Sequence, residues 1–268
     1  MNSLPVFFIS HGSPMHAINA GAAGDVWTQL GASLAAPPKA VVIASAHWET
    51  AQPMLSGSAA PEMIYDFGGF PEALYQIKYP APGAPAVAHR AQQLLNDAGL
   101  NAAIDTRRGM DHGAWVPLRK LFPDANVPVV QLSVQPSMAA RHHYAIGRAL
   151  QPLRDEGVLI VGSGHLTHNL RDWSNGARAQ RDNHGATQIM PYAREFQAWV
   201  YRHLLTGDNA ALFDYRQQAP HALRAHPSEE HFLPLLIALG AAGDQPTVER
   251  VFDGFEGSAL AMDAYRFA

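Results

Sequence analysis

Fourteen of the 268 residues are histidines, and several of them stand where strands give way to loops. Three β-branched or aromatic runs end in similar fashion: Phe7-Phe8-Ile9-Ser10-His11-Gly12-Ser13-Pro14, Val42-Ile43-Ala44-Ser45-Ala46-His47-Trp48-Glu49, and Leu159-Ile160-Val161-Gly162-Ser163-Gly164-His165-Leu166-Thr167-His168. In open α/β sheets, ligands bind outside the carboxyl ends of the strands. A fourth histidine, His226, precedes Pro227, a residue suited to the first position of a helix. One strand-end histidine alone reads best as a hydrogen-bonded loop or core residue. Several converging from separate loops read as a metal site, because imidazole suits Zn, Fe, Ni or Cu. Small neighbours (Gly12, Ser13, Ser45, Gly162, Gly164) would let the backbone approach a shared centre.

The remaining histidines lack that setting. His142-His143 is expected on a solvated helix face, and His16, His89, His184, His203 and His221 as structural or exposed residues. His231 lies five positions beyond His226, so on a helix the two side chains diverge and at most one points at a metal. Two further segments carry polar and aromatic groups between glycines. Gly109-Met110-Asp111-His112-Gly113-Ala114-Trp115 packs an acid, a histidine and a tryptophan together, and Tyr65-Asp66-Phe67-Gly68-Gly69-Phe70-Pro71 could wall a pocket for a flat aromatic ligand. A packed surface loop is the plainer alternative for both.

The elements that must position these residues are legible from periodicity. Short buried-strand patterns cover Val6–Ile9, Val41–Ala44, Val127–Leu132 and Val158–Val161. Helical patterns cover Ala86–Ala98, Met138–Glu156, Thr187–Leu205 and His231–Leu239, each closed by a nearby glycine. Alternating strands and helices predict a three-layer α/β/α fold with a mostly parallel central sheet. Residues 51–82, rich in proline, glycine and aromatics, predict a meander over one end of the sheet, and Thr247–Phe267 an antiparallel C-terminal edge. No repeat, linker or low-complexity block interrupts the pattern, so 1–268 reads as a single domain.

Composition narrows the function classes. Hydrophobic residues make up 47%, enough for a large core, and a formal charge of −4 argues against a nucleic-acid footprint. With no cysteine, disulfides and thiolate chemistry are excluded, and a cytoplasmic location is permitted. No apolar run reaches the ~18 residues of a spanning helix, and the first residues read as a strand instead of a signal peptide.

Taken together, the motifs resemble the class III extradiol ring-cleavage dioxygenases, in the branch that includes DOPA-4,5-dioxygenase. They are Ser10-His11-Gly12-Ser13-Pro14-Met15, Ser45-Ala46-His47-Trp48-Glu49, Tyr65-Asp66-Phe67, Asp111-His112-Gly113-Ala114-Trp115, Gly162-Ser163-Gly164 through His168-Asn169-Leu170, and His226-Pro227 through His231-Phe232. Ser258 through Tyr265 looks like the closing strand of that family. The resemblance implies metal ligands at His11, His47 and His226, an acid/base histidine at His168, and His112 lining the substrate. It implies Fe(II) for activity, with Zn(II) able to occupy the same site. Trp48, Tyr65 and Phe67 are the implied aromatic walls, with Asp111 as a polar group on the substrate side. In the protocatechuate-type branch the third ligand is a glutamate, so a histidine there leaves the site one charge more positive. His165 stands where relatives often carry asparagine, and is expected to support a ligand instead of being one.

The reaction so implied inserts dioxygen into a catechol and yields a ring-opened semialdehyde. Two alternatives use the same residues: a zinc hydrolase with metal-bound hydroxide, and a binding protein of the same fold without catalysis.

Overall fold

The structure is a computed structural model that describes residues 3–183 and 188–268, for 179–183 the backbone alone. His184 and the start of the Thr187–Leu205 helix lie outside the described residues. Ten strands are present among the described residues: β1 Val6–Ser10, β2 Ala40–Glu49, β3 Met54–Ser56, β4 Ala103–Asp105, β5 Val129–Val134, β6 Val158–Gly164, β7 Val248–Phe252, β8 Phe255–Glu256, β9 Leu260–Ala261 and β10 Ala264–Phe267. Eight form one sheet in the order β4-β3-β5-β2-β6-β1-β10-β7, and β8 and β9 pair separately.

The central strands β5, β2, β6 and β1 are mutually parallel, while β10 runs antiparallel to β1 and β7 antiparallel to β10. The expected mostly parallel sheet and antiparallel C-terminal edge are both present. Side chains alternate between two apolar layers, as the pleat requires. Val6, Phe8, Val42, Val130, Leu132 and Ile160 face the helices Pro85–Asp97, Ala140–Leu150, Pro191–Thr206 and Leu233–Ala242. Phe7, Ile9, Val41, Ile43, Leu159 and Val161 face Gly21–Ala32 and His112–Leu121 on the other side.

Helix Leu233–Ala242 is buried along its whole length. It can lie close against β6 because that strand carries glycines at the contact. A Cβ at Gly162 would strike the carbonyl of Pro234, and one at Gly164 the carbonyl of His231. The sequence pattern started this helix at His231, but Pro234 falls in its first turn and Leu233 opens it. The helix expected over Met138–Glu156 is α-helical only over Ala140–Leu150. It tightens into a 3-10 turn at Gln151–Arg154, where Pro152 has no N–H to continue the ladder. The 51–82 meander also supplies strand β3, too short to show a period. No helix among the described residues is long and apolar enough to cross a membrane.

The His142-His143 pair corrects its reading. His142 is partly buried, but His143 is fully buried, and its Nε2 accepts the backbone N–H of Gln135 at 3.0 Å. Burial, and then the neighbouring His142, hold its pKa at about 3 instead of the usual 6.5. The unfolded chain takes up a proton below about pH 6.5 that the folded chain refuses until about pH 3. This histidine therefore contributes stability above pH 6.5 that is lost progressively as the pH falls through that window. In chemical denaturation between pH 6 and 4, His143→Gln should show a pH dependence shallower by about 1.4 kcal/mol per pH unit. An unchanged slope would count against the assignment.

Candidate metal centre and pocket

Three histidines from separate elements converge on one point. His11 follows the end of β1, His47 lies near the end of β2, and His231 precedes helix Leu233–Ala242. The Nε2 of His47 lies 3.1 Å from Nε2 of His11 and 3.3 Å from Nε2 of His231. Backbone bonds fix this convergence: His11 N–H donates to Gly164 O, and His165 N–H donates to His231 O at 2.9 Å.

The other nitrogen of each ring is engaged elsewhere. Ser163 spends its own hydroxyl proton on the carbonyl of Gly113, so its oxygen accepts from Nδ1–H of His11 at 3.0 Å. Nδ1 of His231 donates to Glu230 at 2.9 Å, and Nδ1 of His47 lies 3.3 Å from Asp66 Oδ2. With the proton on Nδ1 in each ring, three Nε2 lone pairs face one another, an arrangement suited to a shared cation. Protonation does not relieve it. Burial, and then the neighbouring imidazoles, hold His47 at about 3 and drive His11 and His231 well below the usual histidine value.

His226 is not in this group. Its Nε2–H donates to Leu166 O at 2.8 Å, and its ring packs against Phe196, Tyr215 and Phe232. It is His231, and not the expected His226, that brings its Nε2 to those of His11 and His47. The reason is local: no helix starts at Pro227. A short helix, Ala222–Ala225, ends just before His226 and turns it into the core, and the chain then turns through 228–232.

The remaining strand-end histidines surround the three. His168 stacks on His231 with ring centroids 3.5 Å apart and an angle of 12° between planes. Burial, and then His112, lower its pKa to about 4, so it is neutral at pH 7. His112 opens helix His112–Leu121, with its ring 3.9 Å from that of His47. The backbone N–H of His112 donates to Asp66 Oδ1 at 2.9 Å, and its ring Nδ1 lies 3.0 Å from Asp66 Oδ2. Burial raises the pKa of Asp66, but the bonds and charges of His112 and His47 outweigh it and hold the carboxyl at about 2. His165 is buried edge-on to His11, and its Nδ1 has no partner.

A cavity of about 330 Å³ opens onto these rings, lined further by Phe67, Phe70, Leu170, Trp173 and Leu260. Of the expected pocket residues, Phe67 is in place. Three others are elsewhere. Trp48 follows His47 on β2, so alternation turns it to the other side of the strand, where the guanidinium of Arg108 covers its ring at 5.0 Å. Tyr65 is tied to Ile77 O through its hydroxyl, away from the cavity. Asp111 is fully buried and caps helix His112–Leu121, accepting from Ala114 N–H, Ser45, Arg108 and Gln131. It supports the element that carries His112, and burial raises its pKa despite Arg108.

The comparisons with known proteins identify the family. The family described as "Catalytic LigB subunit of aromatic ring-opening dioxygenase" matches residues 5–267. The chain is 42% identical over 271 residues to 4,5-DOPA dioxygenase extradiol of Beta vulgaris, covering 99% of this chain and 97% of that one. It is 38% identical over 265 residues to the Escherichia coli K12 protein of the same name, with 97% and 93% covered. The crystal structure of an uncharacterized Escherichia coli K12 protein superposes with a TM-score of 0.81 at 33% identity, covering 99% of this chain and 100% of that one. The chain therefore belongs to the LigB family of ring-opening dioxygenases. It is an oxygen-incorporating ring-cleavage enzyme, and the hydrolase and non-catalytic alternatives fall away.

Proposed function

We propose that His11, His47 and His231 hold a non-heme Fe(II) and that the cavity presents a catechol to it, with Zn(II) able to take the same place. One observation carries this reading: three Nε2 lone pairs converge within about one ligand span while each Nδ1 faces an acceptor. Three imidazoles leave open positions for substrate, and Fe(II) bound there would hold catechol and dioxygen together and pass electron density between them.

The chain's own residues supply the rest. His168, neutral at pH 7, accepts a catechol hydroxyl proton at Nε2, the nitrogen turned away from Glu230, whose Oε1 lies 3.9 Å from Nδ1. His112 has Nδ1 against Asp66, which leaves Nε2 to hydrogen-bond a substrate oxygen. Phe67, Phe70 and Trp173 exclude water and flank the aromatic ring. The product is a ring-opened semialdehyde, and 1–268 acts as one catalytic domain.

Oxygen uptake by the Fe(II)-loaded protein, screened over a panel of catechols that includes DOPA and caffeate-like acids, tests the reading. At least one catechol should consume oxygen and give a yellow product. Oxygen-independent hydrolysis of an ester, with no catechol consumed, would overturn it. With the best catechol, Phe67→Ala should raise KM about tenfold with kcat nearly constant, the pattern of lost uniform binding. A fall in kcat with unchanged KM would remove Phe67 from the pocket wall.

A further inference from the structure

Two carboxylates next to the site have the same relation to it. Asp66 Oδ2 lies 3.3 Å from Nδ1 of His47 and 3.0 Å from Nδ1 of His112. Glu230 Oε1 lies 2.9 Å from Nδ1 of His231 and 3.9 Å from Nδ1 of His168. In each case one carboxylate oxygen is shared between a histidine of the converging trio and a histidine outside it. The paired rings are also in contact, at 3.9 Å for His47 with His112 and 3.5 Å for His231 with His168.

We propose that Asp66 and Glu230 are a matched pair of positioning residues, each tying one metal-binding histidine to one substrate-facing histidine and each supplying negative charge that a three-imidazole site lacks. The inference rests on the metal-site reading above. A ligand set with a carboxylate partly neutralises a divalent ion by direct contact, whereas three neutral imidazoles leave its full charge. An anionic acceptor on Nδ1–H pushes electron density through the ring to Nε2, which strengthens the bond to a cation and fixes the ring's orientation. His11 has only the Ser163 hydroxyl in that role, so both charges come from the other two ligands. The same two carboxylate oxygens stand 3.0 Å and 3.9 Å from Nδ1 of His112 and His168, so their charge favours a proton on that side of each ring and leaves Nε2 for the substrate.

Asp66→Asn and Glu230→Gln remove the charge and keep the shape and an oxygen acceptor. In the zinc-loaded protein, each should lose metal to a competing chelator at an affinity about 10- to 100-fold weaker, and the double variant more than either. Long-range ¹H–¹⁵N NMR of the ring nitrogens gives a second readout that a general structural role would not sort. Asp66→Asn should move the His112 and His47 signals, and Glu230→Gln those of His168 and His231, without crossing over. Zinc affinities within twofold of the parent, or His168 and His112 responding alike to both changes, would overturn the pairing. If the unsubstituted chain binds no metal, the metal-site reading fails instead, and the NMR pattern still judges the pairing by itself.

Discussion

Replacing His231 by alanine is expected to abolish metal retention and ring cleavage, while replacing His226 leaves both in place. The two histidines are five residues apart and both buried, so ordinary similarity of position does not separate them. Their ring nitrogens do. Nε2 of His231 faces Nε2 of His47 at 3.3 Å, whereas Nε2 of His226 donates to the Leu166 carbonyl. Removing an outer partner of a metal ligand costs up to about 100-fold in affinity or activity, so removing the ligand itself should cost more. His226→Ala should be felt in folding instead, by about 2–4 kcal/mol in chemical denaturation, from lost packing against Phe196 and Phe232 and the lost hydrogen bond. Metal content after gel filtration, measured on both variants, decides the matter. A metal-free His226→Ala beside a fully loaded His231→Ala would reverse the assignment.

His168→Ala should keep most of its metal and lose about 10²- to 10⁴-fold in kcat, the span typical of a general acid–base group. The side chain contributes no Nε2 to the converging trio, so its loss leaves three donors intact. It does stack on His231, so a modest fall in metal affinity is expected with it. Single-turnover cleavage by metal-saturated variant separates the two effects, because saturation restores the metal and not the proton acceptor. Near-normal turnover under saturation would rule His168 out as the proton carrier.

Much of this was legible in the residues. The strand ends at His11 and His47 could be read from β-branched runs followed by small residues, and the sheet order of layers followed from alternation. What failed had physical causes. Pro227 marked a helix start, but Pro234 lies in the first turn of the one that forms, and the converging histidine lies five residues beyond the one expected. Trp48 could have been placed from the two-residue strand period, since a residue beside inward-facing His47 must face away. Asp111 precedes a helix with an N–H three residues on to accept, the usual signature of a cap. His143, Gly147 and Leu150 share one helical face, and that spacing pointed to burial. Asp66 and Glu230 carried no local signal at all, because their roles depend on partners brought together by the sheet.

The late position of His231 bears on when the site can exist. His231 follows His47 by 184 residues, so ordinary translation separates the two by roughly ten to forty seconds. Strand β1, which carries the chain toward His11, also waits for β6 and β10 before it has neighbours on either side. A nascent chain that has not reached residue 231 therefore offers two imidazoles of the trio and not the third. On the proposed reading, metal capture waits until helix Leu233–Ala242 has docked on β6 and set the last donor in place.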